Sequence, residues 1–129
     1  MSGSLTIALD AMGGDKGPAA VIPGAALALA EDPSLRFLIF GDSQKISPFL
    51  KKYPKLEQAS TVIHTDHFIS ADDKPAVALR NGRNSSMRLA INAVAEKQAD
   101  CIVSGGNTGA LMAMAKLVLN CLPGIDRPA

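Results

Sequence analysis

Aromatic side chains are scarce: the 129 residues hold no Trp, one Tyr and four Phe. Without them no platform for stacked bases can be built. The formal net charge of +1 supplies no basic field for nucleic acid or for an anionic membrane surface. Cysteine is equally sparse. Cys101 and Cys121 sit in apolar runs rather than in a C-x-x-C pair, which reads as two buried reduced thiols of a cytosolic protein. No charged-then-apolar leader opens the chain, which argues against secretion. The most apolar stretch, Ala110 to Leu122, is broken by Lys116 and Asn120 and is too short to span a bilayer. Internal repeats and low-complexity linkers are absent as well.

What is present suits one domain with a real core, since 47% of the residues are hydrophobic. Short apolar runs alternate with helix-forming stretches. Leu5–Leu9, Arg36–Phe40, Thr61–Thr65 and Asp100–Val103 read as strands, the first apolar enough to be buried on both faces and the last with the look of a buried strand. Pro23–Glu31 reads as the first regular helix, because Pro23 would break a helix already under way. A short helix with Pro48 near its start carries Phe49 and Leu50 inward and Lys51, Lys52 and Lys55 outward. Polar residues Asp66–Lys74 form a loop, Pro75–Leu79 a helical turn and Arg80–Asn84 a basic turn. Ser85 or Ser86 caps an amphipathic helix whose Met87, Ala90, Ile91 and Val94 fall at i, i+3, i+4 and i+7. Thr108–Leu119 is a last helix, apolar nearly all round, so it needs cover on more than one side from further chain or a partner. This alternation predicts an α/β fold with a mostly parallel sheet and helices on both faces.

Two glycine-rich loops follow strands. The first is Asp10-Ala11-Met12-Gly13-Gly14-Asp15-Lys16-Gly17-Pro18, and the second is Ser104-Gly105-Gly106-Asn107-Thr108-Gly109-Ala110. In a parallel sheet both lie at the carboxyl edge, where ligands bind. A strand, a glycine turn and a helix together present uncovered N–H groups and a positive helix end to an anion. The alternative is a tight capped turn without a ligand. Gly106, Asn107, Thr108 and Gly109 therefore stand as donors to phosphate or to an oxyanion, with Asn107 or Thr108 also able to cap the helix. Gly13 and Gly14 are read in the same way. Asp10 either orients a basic residue, accepts a proton from dihydrogen phosphate, or bonds to the backbone N–H groups of Gly13 and Gly14 as a turn-former. Asp15 is read with Gly13 and Gly14 as a phosphate- or substrate-binding residue; it also invites a magnesium reading, but no further acidic ligands stand near it in sequence, so no metal is assigned. Ser85 and Ser86 either donate to phosphate from a helix start or cap that helix. Arg80, Arg83 and Arg88 form a local basic cluster, either a solvated face or a dock for an acidic partner. No G-x-S-x-G surrounds a serine, and His64 and His67 have no zinc-site spacing.

Taken together, Asp10–Asp15 with Pro18, Ser85-Ser86-Met87, Asn107–Ala110 and Gly124-Ile125-Asp126-Arg127-Pro128-Ala129 resemble the phosphate acyltransferase (PlsX) family of bacterial phospholipid synthesis. The four blocks occur in the family's order and cover essentially the whole chain. The resemblance implies a three-layer αβα fold like that of isopropylmalate dehydrogenases and phosphate acetyltransferases. It also implies transfer of a fatty acyl group from acyl carrier protein to inorganic phosphate, giving an acyl phosphate. No cofactor is implied. Family members are homodimers, cytosolic or loosely attached to the membrane. The family usually has Ala where this chain has Gly105, and its members are much longer. Residues 1–129 thus read as the amino-terminal part of an acyltransferase domain, inactive alone. Two other readings remain: a nucleotide-dependent dehydrogenase on a similar sheet, for which G-x-G-x-x-G is missing and Asp42 is the nearest acidic residue, and a non-catalytic binding module.

Overall fold

The computed structural model describes residues 4–14 and 16–119. The short apolar runs form β1 (Thr6–Asp10), β2 (Arg36–Gly41), β3 (Ser60–His64) and β4 (Cys101–Ser104). All pair in parallel, in the order β3-β2-β1-β4. The chain steps outward from β1 through β2 to β3, then returns to set β4 on the other side of β1. Successive strand side chains point to opposite faces, and both faces are apolar, so both must be covered.

One face receives α1 (Pro18–Glu31), α2 (Ser43–Leu50) and α3 (Pro54–Gln58). There Leu9, Phe37 and Ile39 pack with Ile22, Leu29, Ile46 and Leu56. The other face receives α5 (Ser86–Ala95), whose Ala90 and Ala93 lie against Ala8 and Phe40. Two further helices, α4 (Pro75–Asn81) and α6 (Thr108–Leu119), join α5 through Ala78, Met87, Ile91 and Met114. Fully burying each Ile or Leu contributes about 1.5–3 kcal/mol. The result is the expected three-layer α/β arrangement.

Several local expectations need correction. Helix α1 begins at Pro18 and runs through Pro23. Proline at Pro18 costs nothing, because a helix's first N–H groups have no internal partner. Pro23 forfeits the bond to the Ala19 carbonyl, but Ala19 is exposed, so water can take that place. Helix α2 likewise contains Pro48, four residues after exposed Gln44, and Asp42 caps it by accepting the Gln44 N–H at 3.0 Å. The separate helix α3 starts at its own proline. Arg80 closes α4 rather than opening a turn, where its charge complements the negative helix end. Cys101 is half-buried rather than buried; Cys121 lies outside the described residues.

Helix α5 follows its sequence reading closely. Ser85 is the cap, with Met87, Ala90 and Ile91 buried. Its far end closes with the Gln98 N–H on the Ala93 carbonyl and the Lys97 N–H on the Val94 carbonyl, while Lys97 takes φ 63°. That is a left-handed cap of the kind usually given to glycine. Helix α6 buries Ala110, Met114 and Ala115 against α4 and α5, and leaves Leu117 61% exposed.

Candidate functional site

The reversal of strand order falls between β1 and β4. Loops leaving the carboxyl ends of these neighbours diverge to opposite faces, the first to α1 and the second to α6, and open a crevice between them. Both glycine loops therefore meet at one place, which sequence order could not establish.

They meet backbone to backbone. A Cβ built on Gly13 would stand 2.7 Å from the Gly106 nitrogen and 3.0 Å from its Cα. A Cβ on Gly106 would stand 3.2 Å from the Gly13 Cα. These two glycines are required by the close approach of the loops. Gly14 has φ 83°, a left-handed conformation that favours glycine, and faces the Gly105 carbonyl. Gly109 packs against Pro75, whose Cγ would be 3.0 Å from an added Cβ. Gly105 has open space around it.

Asp10 ends β1, opposite Ser104 in the pairing, and is 2% exposed. Its Oδ1 accepts the Ser86 hydroxyl at 2.6 Å and the Met12 N–H at 3.1 Å. Its Oδ2 accepts the Ser104 hydroxyl at 2.8 Å. Ser104 Oγ in turn accepts the Gly106 N–H at 3.2 Å. The turn bonds expected from Gly13 and Gly14 are not the ones formed: Asp10 takes the Met12 N–H within its own turn and reaches α5 and the second loop through Ser86 and Ser104.

Ser85 and Ser86 are both buried. The Ser85 hydroxyl donates to the Gly82 carbonyl at 2.6 Å and accepts the Arg88 N–H, so Ser85 is the cap. With Ser86 donating to Asp10, neither hydroxyl proton faces the crevice in this arrangement. Asn107 is also occupied. Its Oδ1 accepts the Ala110 N–H at 3.1 Å, capping α6, and its Nδ2 donates to the Ser70 and Asp73 carbonyls at 3.1 and 2.6 Å. One amide thus straps the 66–74 loop to the start of α6.

What remains free is backbone. The N–H groups of Asn107, Thr108 and Gly109 make no hydrogen bond among the described residues. Thr108 and Gly109 are exposed, at the positive end of α6. Asp15 lies outside the described residues.

A cavity of about 540 Å3 runs from the loops along the α1 face of the sheet. Asp10, Lys16 and Ser104 line its polar mouth, and Leu9, Val21 and Val103 lie along its apolar length. Lys16 is the residue that sequence reasoning passed over, although it is the only cation in the 10–18 loop. A larger cleft of about 1030 Å3 lies between α1 and α3 at the amino ends of β2 and β3. Lys52 and Lys55, read from sequence as a solvated face, line it, but none of the candidate site residues does.

Arg80 and Arg83 are exposed near the junction of α4 and α5. Arg88 is half-buried and donates from Nε to Asn92 at 3.3 Å. None of the three forms an ion pair among the described residues. His64 ends β3 and accepts the Ser43 N–H at 3.0 Å, and His67 lies in the following loop beside Asp66. The Cys101 thiol is pushed above its ordinary range by burial and by the Asp100 charge. Among the described residues no helix is long and apolar enough to cross a membrane.

A family described as fatty acid synthesis protein matches residues 5–129. The chain is 60% identical over 129 residues to the phosphate acyltransferase of Rhodospirillum centenum, covering 100% of this chain and 36% of that protein. It is 56% identical over 130 residues to the phosphate acyltransferase of Parvibaculum lavamentivorans, and 58% identical to that of a Bradyrhizobium strain, over 36% and 37% of their lengths. The chain thus spans little more than a third of the curated relatives it matches.

Proposed function

The chain belongs to the fatty acid synthesis protein family, and from that premise we propose that it is the amino-terminal part of an acyltransferase that moves a fatty acyl group from acyl carrier protein to inorganic phosphate. The observation that carries this reading is the meeting of the two glycine loops at the β1–β4 reversal, where Lys16 and Ser104 line the cavity and the next residues, Thr108 and Gly109, start α6 with N–H groups that make no hydrogen bond among the described residues. Such donors suit an anion and need little else from the protein.

The chemistry is undemanding. A phosphate oxygen attacks the thioester carbonyl carbon, and the carbonyl electrons move onto oxygen as the new C–O bond forms. The tetrahedral intermediate then collapses, the C–S bond breaks, and the thiolate takes up a proton released by the phosphate. Catalysis consists of holding phosphate in line and of donors for the developing oxyanion. The apolar length of the cavity beside this polar mouth suits an acyl group presented carbonyl first. Gly13, Gly14 and Gly106 then act by letting the loops close on each other, Asn107 by capping α6 and holding the 66–74 loop, and Ser85 and Ser86 from behind the site. Asp15 belongs to the same loop.

Acyl carrier protein, which is acidic, docks on this reading at Arg80, Arg83 and Arg88 by charge steering. A cytoplasmic homo-oligomer, with peripheral contact to the membrane, is the setting in which the product would be passed on. The test is thiol release from acyl carrier protein by the full-length protein, with hydroxylamine trapping of acyl phosphate. Release that requires phosphate is the expected result. An equal rate without phosphate refutes the proposal.

A further inference from the structure

Asp10 is buried at the crevice, and both of its carboxylate oxygens are taken up by donors of the protein itself. Three donors converge on it from three parts of the chain: Met12 in its own turn, Ser86 at the start of α5 and Ser104 at the end of β4. An ionised carboxylate only accepts, so it can hold all three together. The contact with Ser104 reaches further. That hydroxyl gives its one proton to Asp10 and is thereby left to accept, and it accepts the N–H of Gly106. The chain of bonds runs from α5 through Ser86, Asp10 and Ser104 to the loop whose next residues carry N–H groups without a partner among the described residues.

We propose that Asp10 is a positioning residue: anchored to α5 by Ser86, it orients the Ser104 hydroxyl, which fixes the 105–109 loop at the spacing phosphate requires. The inference rests on the phosphate reading of the site for its functional consequence, and on geometry alone for the positioning. It separates Asp10 from any proton-transfer role. Charge next to a phosphate site is tolerable here because both carboxylate oxygens are covered by donors. Asp10→Asn disturbs the relay without changing size. An amide must donate to one of its serines, and if that serine is Ser104 the hydroxyl proton loses its acceptor at residue 10, so the lone pair that receives the Gly106 N–H is no longer held in place.

The experiment uses full-length protein carrying Ser104→Ala, Ser104→Thr, Asp10→Asn and the pair Asp10→Asn/Ser104→Ala. Phosphate KM should rise about fivefold to tenfold in Ser104→Ala, the change expected from one hydrogen bond. The KM for acyl carrier protein should hold, and Ser104→Thr should restore phosphate KM. Asp10→Asn should raise it too, and the pair should fall well short of the product of the two, because both break one chain. Hydrogen exchange of the Gly106 amide, the one that Ser104 holds, should quicken in Ser104→Ala and Asp10→Asn. An active parent with unchanged phosphate KM in Ser104→Ala, or with effects that multiply, overturns the inference. A parent that shows no phosphate dependence refutes the acyltransferase reading instead. In that case amide exchange decides alone: faster exchange sustains the positioning role, and unchanged exchange overturns it.

Discussion

Replacing Gly13 with Ala tests whether the two glycine loops form one unit. The added Cβ would lie 2.7 Å from the Gly106 nitrogen, 3.0 Å from its Cα and 3.1 Å from Asp10 Oδ2. None of these can swing aside: two belong to backbone, and the third is a carboxylate held by Ser86 and Ser104. Reaching ordinary contact, roughly 3.5 Å, requires the loops to part by roughly 0.8 Å. Overpacking of this kind costs about 1–3 kcal/mol. Replacing a glycine also removes about 0.4–1 kcal/mol of unfolded-state entropy, which acts the other way. Gly105→Ala supplies the reference, since nothing lies within 4 Å of its added Cβ and its backbone is not left-handed. The entropy effect is common to both variants, so their difference isolates the steric cost at about 1–3 kcal/mol. Urea unfolding of the two full-length variants, compared at unchanged m-value, measures it. Gly105→Ala should be neutral or slightly stabilising, while Gly13→Ala should lower the midpoint and raise phosphate KM. Equal midpoints for the two would mean that the loops do not touch as described.

Asn107→Ala removes the α6 cap and both bonds to the 66–74 loop, and should destabilise by about 2–4 kcal/mol, with faster hydrogen exchange concentrated in residues 66–74. Lys97→Gly relieves a left-handed lysine and should stabilise by about 1 kcal/mol, read as a higher urea midpoint. Because the Cys101 thiol is held above its ordinary range, it should react with iodoacetamide at pH 8 more slowly than a free cysteine, and Asp100→Asn should quicken it. Its effect on stability has a definite sign: the unfolded chain releases the proton first, so this contribution declines as pH rises from the ordinary thiol range toward the raised one. Asp32 is the opposite case. The Ser34 hydroxyl and N–H hold its carboxyl below the ordinary range, so its small contribution, present above the unfolded-state value, is lost as pH falls through the depressed one; Ser34→Ala should raise that titration in an NMR experiment.

Much of the fold was legible because burial imposes a period. Runs such as Phe37–Phe40 are covered on both sides of the sheet and read as strands, while the spacing of Met87, Ala90 and Ile91 reads as one helical face. Prolines misled the boundaries. Whether a proline ends a helix depends on whether water or another donor can reach the carbonyl it strands, and exposed Ala19 and Gln44 decide that only in three dimensions.

The candidate site divides in the same way. Sequence alone determined that two glycine loops follow strands, that both belong at the carboxyl edge, and that four motif blocks resemble one family. Those are consequences of residue type and local order. Pairing decided the rest. Setting β4 beside β1 brought Gly13 against Gly106, and it turned Asp10, Ser86 and Ser104 into one hydrogen-bonded chain across 94 positions of sequence. Tertiary packing also committed Ser86 and the Asn107 amide to distant partners, while the N–H groups of Thr108 and Gly109 make no hydrogen bond among the described residues. Residue identity fixes which groups can donate or accept, but which partner each one meets is fixed only when distant strands come into register.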